Sequence, residues 1–130
     1  MPKKRILIVD DEYVSLTKLN MLLEQYGECE TATSGEQALE LFALAAEDNE
    51  PFDLITLDIS MNGQSGIETL KIIREIETKG SHVEVIMITG MTDAQNIRDS
   101  FKCGCTKLMT KPLVTQELHE AMKAMRWSKL

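Results

Sequence analysis

The sequence predicts an α/β fold: an open, doubly wound sheet of five parallel strands with helices on both faces. Three observations lead there. Short β-type runs recur five times, each followed by a longer stretch with apolar residues at helical spacing. Strands joined by helical crossovers pair in parallel, and right-handed crossovers place helices on both faces. The 130 residues suffice for one core, and residues 1–130 are read as a single domain. A closed eight-fold barrel needs about twice that length.

The first strand is Arg5–Val9 (RILIV), continuously apolar and so buried on both faces. From Val14 to Tyr26, Leu16, Leu19, Leu22, Leu23 and Tyr26 recur at helical spacing, and Gly27 stops the helix. Glu28–Thr33 is a weaker strand, expected near an edge. Ser34-Gly35 opens a second helix with Ala38, Leu41, Phe42 and Ala45 on one face, ending before Pro51. Asp53–Asp58 (DLITLD) is the third strand. Ser65 and Glu68 have capping-box spacing, and Ile67, Leu70, Ile73 and Ile76 repeat along the helix before Gly80. Val83–Thr89 is the fourth strand. Thr92 or Asp93 caps a short helix that stops at Gly104. Lys107–Met109 is a short fifth strand, and Thr115 caps a last helix with Leu118, Ala121, Met122 and Met125 inward.

Composition narrows the function. A net charge of −7 gives no basic face for nucleic acid. No apolar run approaches the roughly 20 residues that cross a bilayer, and ILIV is too short for a signal peptide, so a cytoplasmic protein is expected. Cys29, Cys103 and Cys105 are an odd set without zinc spacing and read as free thiols; His82 and His119 lie far apart. The terminal Ser128-Lys129-Leu130 matches a peroxisomal address, but so short a match is read as coincidence. Trp127 follows the last helix, either packing there or marking where a longer chain continued.

In open α/β sheets, ligands sit beyond the carboxyl ends of the strands. The first strand delivers Asp10 and Asp11 there, the third Asp58, the fourth Thr89-Gly90, and Lys111-Pro112 lies just past the fifth. Taken singly, Thr89 is a loop residue and Asp11 a helix cap. As a set they are not: two carboxylates about 4 Å apart repel by roughly 4 kcal/mol at an effective dielectric of ~20. A fold keeps such a cluster when a cation neutralises it, and oxygen-only ligands suit Mg²⁺ or Mn²⁺ better than zinc. Metal, lysine and hydroxyl around a free carboxylate form a pocket for a phosphoryl group.

ILIVDDE, LITLDISM followed by Gly66, VIMITG and TKP, in this order and spacing, resemble the receiver domain of two-component response regulators. The resemblance runs from Lys4 to about Met125. It implies a flavodoxin-like sheet of order 2-1-3-4-5. It further implies that Asp58 accepts a phosphoryl group from a histidine kinase or phosphotransfer protein. Asp11 would bind the metal directly with Asp10 assisting, and the Ser60 carbonyl would complete the shell. Thr89 would be the switch hydroxyl, Gly90 the small residue that keeps the pocket open, and Lys111 the phosphoryl partner, followed by a cis bond to Pro112. Ser60 and Met91 would tune hydrolysis. Output would be contact with a downstream protein, biased through the face of the fourth helix, fifth strand and fifth helix, by a monomer or a phosphorylation-dependent dimer. The only reaction implied is the domain's own phosphorylation and dephosphorylation.

Three positions depart from the pattern. Asn62, followed by Gly63, stands where proline is usual, so that loop is expected to be less rigid. Leu108 replaces an aromatic switch residue, and Leu113 a frequent phenylalanine. A phosphorylation-independent interaction module is the alternative, but such modules lack part of the set present here. A phosphatase wants a second aspartate where Ser60 stands, and DDE would repel a flavin phosphate.

Overall fold

A computed structural model describes residues 4–61, 63–77, 82–90 and 94–130. The chain alternates β1 (Arg5–Val9), α1 (Tyr13–Leu23), β2 (Glu28–Ala32), α2 (Gly35–Glu47), β3 (Leu54–Asp58), α3 (Gly66–Ile76), β4 (Glu84–Thr89), α4 (Ala94–Lys102), β5 (Lys107–Thr110) and α5 (Thr115–Ala124). All strand pairs are parallel, in the order β2-β1-β3-β4-β5. The predicted order holds, and Glu28–Ala32 is an edge strand as its weaker pattern suggested.

The continuous apolar strands are buried on both faces. Leu7, Val9, Ile55, Leu57, Val85 and Met87 point to one side, where Ala38 and Phe42 of α2 and Leu70 and Ile73 of α3 cover them. Ile6, Ile8, Leu54, Ile86 and Ile88 point to the other, under Leu19 and Leu23 of α1 and Leu118 and Met122 of α5. Alternation along a strand produces both layers from one sequence run.

Several boundaries differ from the sequence reading. α1 ends at Leu23, not at Gly27. Tyr26 still enters the core, but from a turn closed by its N–H to the Leu23 carbonyl at 2.9 Å. Glu12, not Asp11, is the N-cap of α1, and Val114, not Thr115, is that of α5; neither caps with its side chain. Ile76 shares the spacing of Leu70 and Ile73 yet is exposed at the helix end. Ser34 and Ser65 cap as expected, accepting from the N–H groups of Gln37 (3.1 Å) and Glu68 (3.2 Å). The expected caps Thr92 and Asp93, and Gly80, lie outside the described residues.

Trp127 packs against the α1/α5 side of the core, and its indole N–H donates to Glu84 Oε2 at 3.3 Å. At the α3 end of the molecule, Arg74 ties three elements together. Its guanidinium donates to the Gly104 carbonyl (2.7 Å from Nη2), the Val83 carbonyl (2.7 Å) and the Glu77 carboxylate (3.1 Å). Such a planar fork suits simultaneous contacts.

One core residue is misplaced by chemistry. Thr56, in the middle of β3, is fully buried, and its hydroxyl has no hydrogen-bond partner among the described residues. An unpaired buried hydroxyl costs free energy that a methyl does not. Thr56→Val should therefore stabilise the protein by about 1 kcal/mol in urea unfolding. A destabilised variant would show that the hydroxyl has a partner after all.

Candidate functional site

Every predicted site residue belongs to the end of a strand or the loop after it, so the sheet itself gathers them. β1 and β3 are neighbours, and β3 ends on Asp58. Asp10 follows β1 and is 1% exposed; Asp58 is 5% exposed. Asp11 is exposed beside them. One ligand oxygen from each of Asp10, Asp11 and Asp58 lies within 4.8 Å of the others.

Lys111 enters this cluster from beyond β5. Its ammonium is 3.1 Å from Asp58 Oδ2, with hydrogen-bond geometry, and 3.1 Å from Asp10 Oδ2, an ion-pair contact without it. Two features place it. The Lys111 N–H donates to the Thr89 carbonyl at 2.8 Å, so the end of β4 fixes its backbone. The Lys111–Pro112 bond is cis, as the resemblance implies. Beyond it, Lys18 Nζ of α1 donates to the Leu113 carbonyl at 2.7 Å.

The carboxylates are held by backbone donors. Asp10 Oδ1 accepts from the Glu12 N–H at 2.9 Å, and Asp58 Oδ1 from the Ser60 N–H at 3.1 Å. Burial pushes the Asp58 carboxyl above its ordinary range. The Lys111 bond opposes that rise, and the Asp10 charge adds to it. Burial pulls the Lys111 ammonium down, but Asp10 and Asp58 more than reverse this, so it is raised.

Asp10 Oδ2 is buried and has no hydrogen bond among the described residues. Lys111 is its ion-pair partner, but one lysine cannot neutralise the Asp10, Asp11 and Asp58 carboxylates together. This donor set fits a hard divalent cation with oxygen ligands.

Thr89 ends β4 with its side chain fully buried. At Gly90 a Cβ would meet nothing within 4 Å among the described residues. Gly66 is the opposite case: a Cβ would collide with the Asp58 carbonyl oxygen, so glycine lets the start of α3 lie against the strand that carries Asp58. Leu108 packs on the α2/α3 side and Leu113 on the α1/α5 side of the core. Met91 and Asn62 lie outside the described residues. Sequence reasoning gave Glu12 no role; its Oε1 is 4.0 Å from Lys111 Nζ. Its one signal was its place as third acid of the DDE run, and at 61% exposure the contact contributes little.

The family profile described as response regulator receiver domain matches residues 6–123. The chain belongs to the response regulator receiver family. It is a receiver domain of two-component signalling. Sporulation initiation phosphotransferase F of Bacillus subtilis is 32% identical over 124 residues, covering 95% of this chain and 94% of that protein. The sensor histidine kinase GacS of Pseudomonas protegens is 30% identical over 128 residues, covering 97% of this chain but only 13% of that protein. Among solved structures, a CheY-like response regulator receiver domain protein from Methanospirillum hungatei has a TM-score of 0.78 at 31% identity, covering 94% of this chain and 92% of that one. Receiver domains act as phosphoryl-accepting modules, bind Mg²⁺ through acidic residues, and interact with histidine kinases and phosphotransfer proteins. Among the described residues, no helix is long and apolar enough to cross a membrane.

Proposed function

We propose that Asp58 is the phosphoacceptor of this receiver domain. Its carboxylate oxygen attacks the phosphorus of a phosphohistidine on a histidine kinase or phosphotransfer protein. The O–P bond forms as the P–N bond breaks, and the imidazole leaves. What supports this is one observation: a buried strand-end carboxylate bonded to Lys111 at 3.1 Å, beside two further aspartates. Asp10, Asp11, Asp58 and the Ser60 carbonyl would hold Mg²⁺ or Mn²⁺, which when bound supplies positive charge for phosphoryl transfer.

Lys111 serves as the phosphoryl counter-charge and Thr89 as the switch hydroxyl. Phosphorylation shifts a two-state equilibrium of the face built by α4, β5 and α5. The domain's own phosphorylation and dephosphorylation are the only reactions assigned to it. It works in the cytoplasm and contacts a downstream protein, as a monomer or a phosphorylation-dependent dimer.

The test is acetyl phosphate with Mg²⁺, read by intact mass and by the site of borohydride trapping. The expected result is one phosphoryl group on Asp58, lost when the metal is chelated. A protein that gains none, and does not respond to beryllofluoride, is instead a phosphorylation-independent interaction module.

A further inference from the structure

The loop from Ile59 to Ser65 carries Ser60, and little in its own sequence stiffens it. Gly63 has φ +83°, Asn62 stands where the family usually has proline, and Ser60 and Gly63 are exposed. Two backbone contacts pin its start and end: Ser60 N–H to Asp58 Oδ1, and Gly66 N–H to the Ile59 carbonyl at 2.9 Å.

A third attachment comes from α3. Thr69 is fully buried beside Leu70, on a face otherwise occupied by apolar residues. A hydroxyl adds nothing to that packing. Its proton is shared between two acceptors, the Ser65 carbonyl at 3.0 Å and Gln64 Oε1 at 2.8 Å. The bond to Ser65, four residues back, is how a threonine within a helix ordinarily satisfies itself. The bond to Gln64 is different: it crosses from the helix into the loop.

The N-terminus of α2 closes over this pair. A Cβ at Gly35 would collide with Thr69 Oγ1 and lie 2.8 Å from Gln64 Oε1. Glu36 flanks Gly63, its Oε1 3.5 Å from where a Cβ would stand. The Gln64 side chain is therefore clasped between the starts of two helices, a substitute for the stiffness that proline would give.

We propose that Gln64 and Thr69, packed on Gly35, are positioning residues that brace the β3–α3 loop for metal binding. This rests on the metal reading of the site given above. Neither residue touches the metal or the reacting atoms. They act through the backbone that carries Ser60. Groups hydrogen-bonded directly to metal ligands commonly change affinity 10–100-fold when lost, and this brace acts from further away. The effect here is expected near the lower end, about tenfold.

The test compares wild type with Thr69→Val, Gln64→Ala and Thr69→Ser, none of which changes charge. Mg²⁺ alone is titrated by calorimetry. In the metal-free proteins, hydrogen exchange is followed at the amides of Ser60, Met61, Gly63, Gln64 and Ser65, with thermal unfolding as a measure of global stability. Thr69→Val and Gln64→Ala should raise the Mg²⁺ Kd about tenfold and speed exchange at these amides but not in the β-strands. Thr69→Ser, which keeps the hydroxyl, should stay near wild type. The brace is overturned if both variants bind Mg²⁺ and exchange like wild type. It is equally overturned if exchange rises across the whole chain in step with lost stability. A wild type that binds no Mg²⁺ overturns the metal reading itself, and this role with it.

Discussion

Without metal, the Lys111→Ala protein is expected to unfold about 2 kcal/mol more easily than the parent. Its ammonium stands 3.1 Å from both Asp10 Oδ2 and Asp58 Oδ2, whose side chains are 1% and 6% exposed. Removing it leaves two buried like charges with no counter-charge among the described residues. Breaking a buried pair typically costs 3–5 kcal/mol. The Lys111 side chain is itself 22% exposed, so water screens part of the loss and the cost is lower. A divalent cation can take over the neutralising role. At a hundred times its Kd, a ligand that binds only the folded state adds about 2.7 kcal/mol. Mg²⁺ should therefore stabilise Lys111→Ala more than the parent, since no ammonium then competes for Asp10 and Asp58.

The pH dependence has a definite sign. Burial raises the Asp58 carboxyl, and Lys111 restrains that rise. A folded-state pKa above the unfolded one means the ionised group opposes folding. Its contribution is fully present below the unfolded value, 3.8, and lost as pH climbs through the raised one. Removing Lys111 removes the restraint. The deficit of Lys111→Ala should be largest at neutral pH and shrink on acidification through the Asp58 pKa. Urea titrations with chelator at several pH values measure this. A deficit that grows in acid would mean that the Lys111–Asp58 pair is not what Lys111 contributes.

Asp58→Asn should do two opposite things. Labelling by acetyl phosphate should vanish, because an amide has no carboxylate nucleophile. Metal-free stability should rise by about 1–2 kcal/mol, because one of two buried like charges is gone while Lys111 keeps Asp10. The order should then reverse with Mg²⁺, which stabilises the parent and has lost a ligand in the variant. Urea unfolding with chelator and then with Mg²⁺ displays the crossing. A variant less stable than the parent without metal would show that the Asp58 carboxylate is a net structural asset.

Much of this molecule is legible in its sequence, and the reason differs by region. RILIV, LITL and VIMI are apolar almost throughout because both faces of the central strands are covered. Asp10, Asp11, Asp58 and Lys111 stand out because each sits at or just past the carboxyl end of a strand, where the topology brings them together. Helix ends were read less well. Tyr26 has helical spacing and is buried, yet reaches the core from a turn. Thr115 is a good cap by type, but the chain enters α5 one residue earlier. The pocket's membership was legible, but the individual contacts across space were not. Nothing in the sequence says that Lys111 is shared by two aspartates, or that Thr69 reaches Gln64, since a five-residue offset between loop and helix matches no recurrent local pattern.

The sharing of Lys111 has a consequence for which ions and groups the pocket accepts. With three carboxylates ionised and one ammonium, the cluster carries a charge of −2. A monovalent ion leaves it negative and a trivalent one overshoots; a divalent ion brings it to zero. A phosphoryl group brings about −1.5 to −2, where the Asp58 carboxylate had one. On the proposed chemistry, the pocket is neutral before transfer and negative after it. That added negative charge is what Lys111 and the Thr89 hydroxyl would answer on the proposed chemistry.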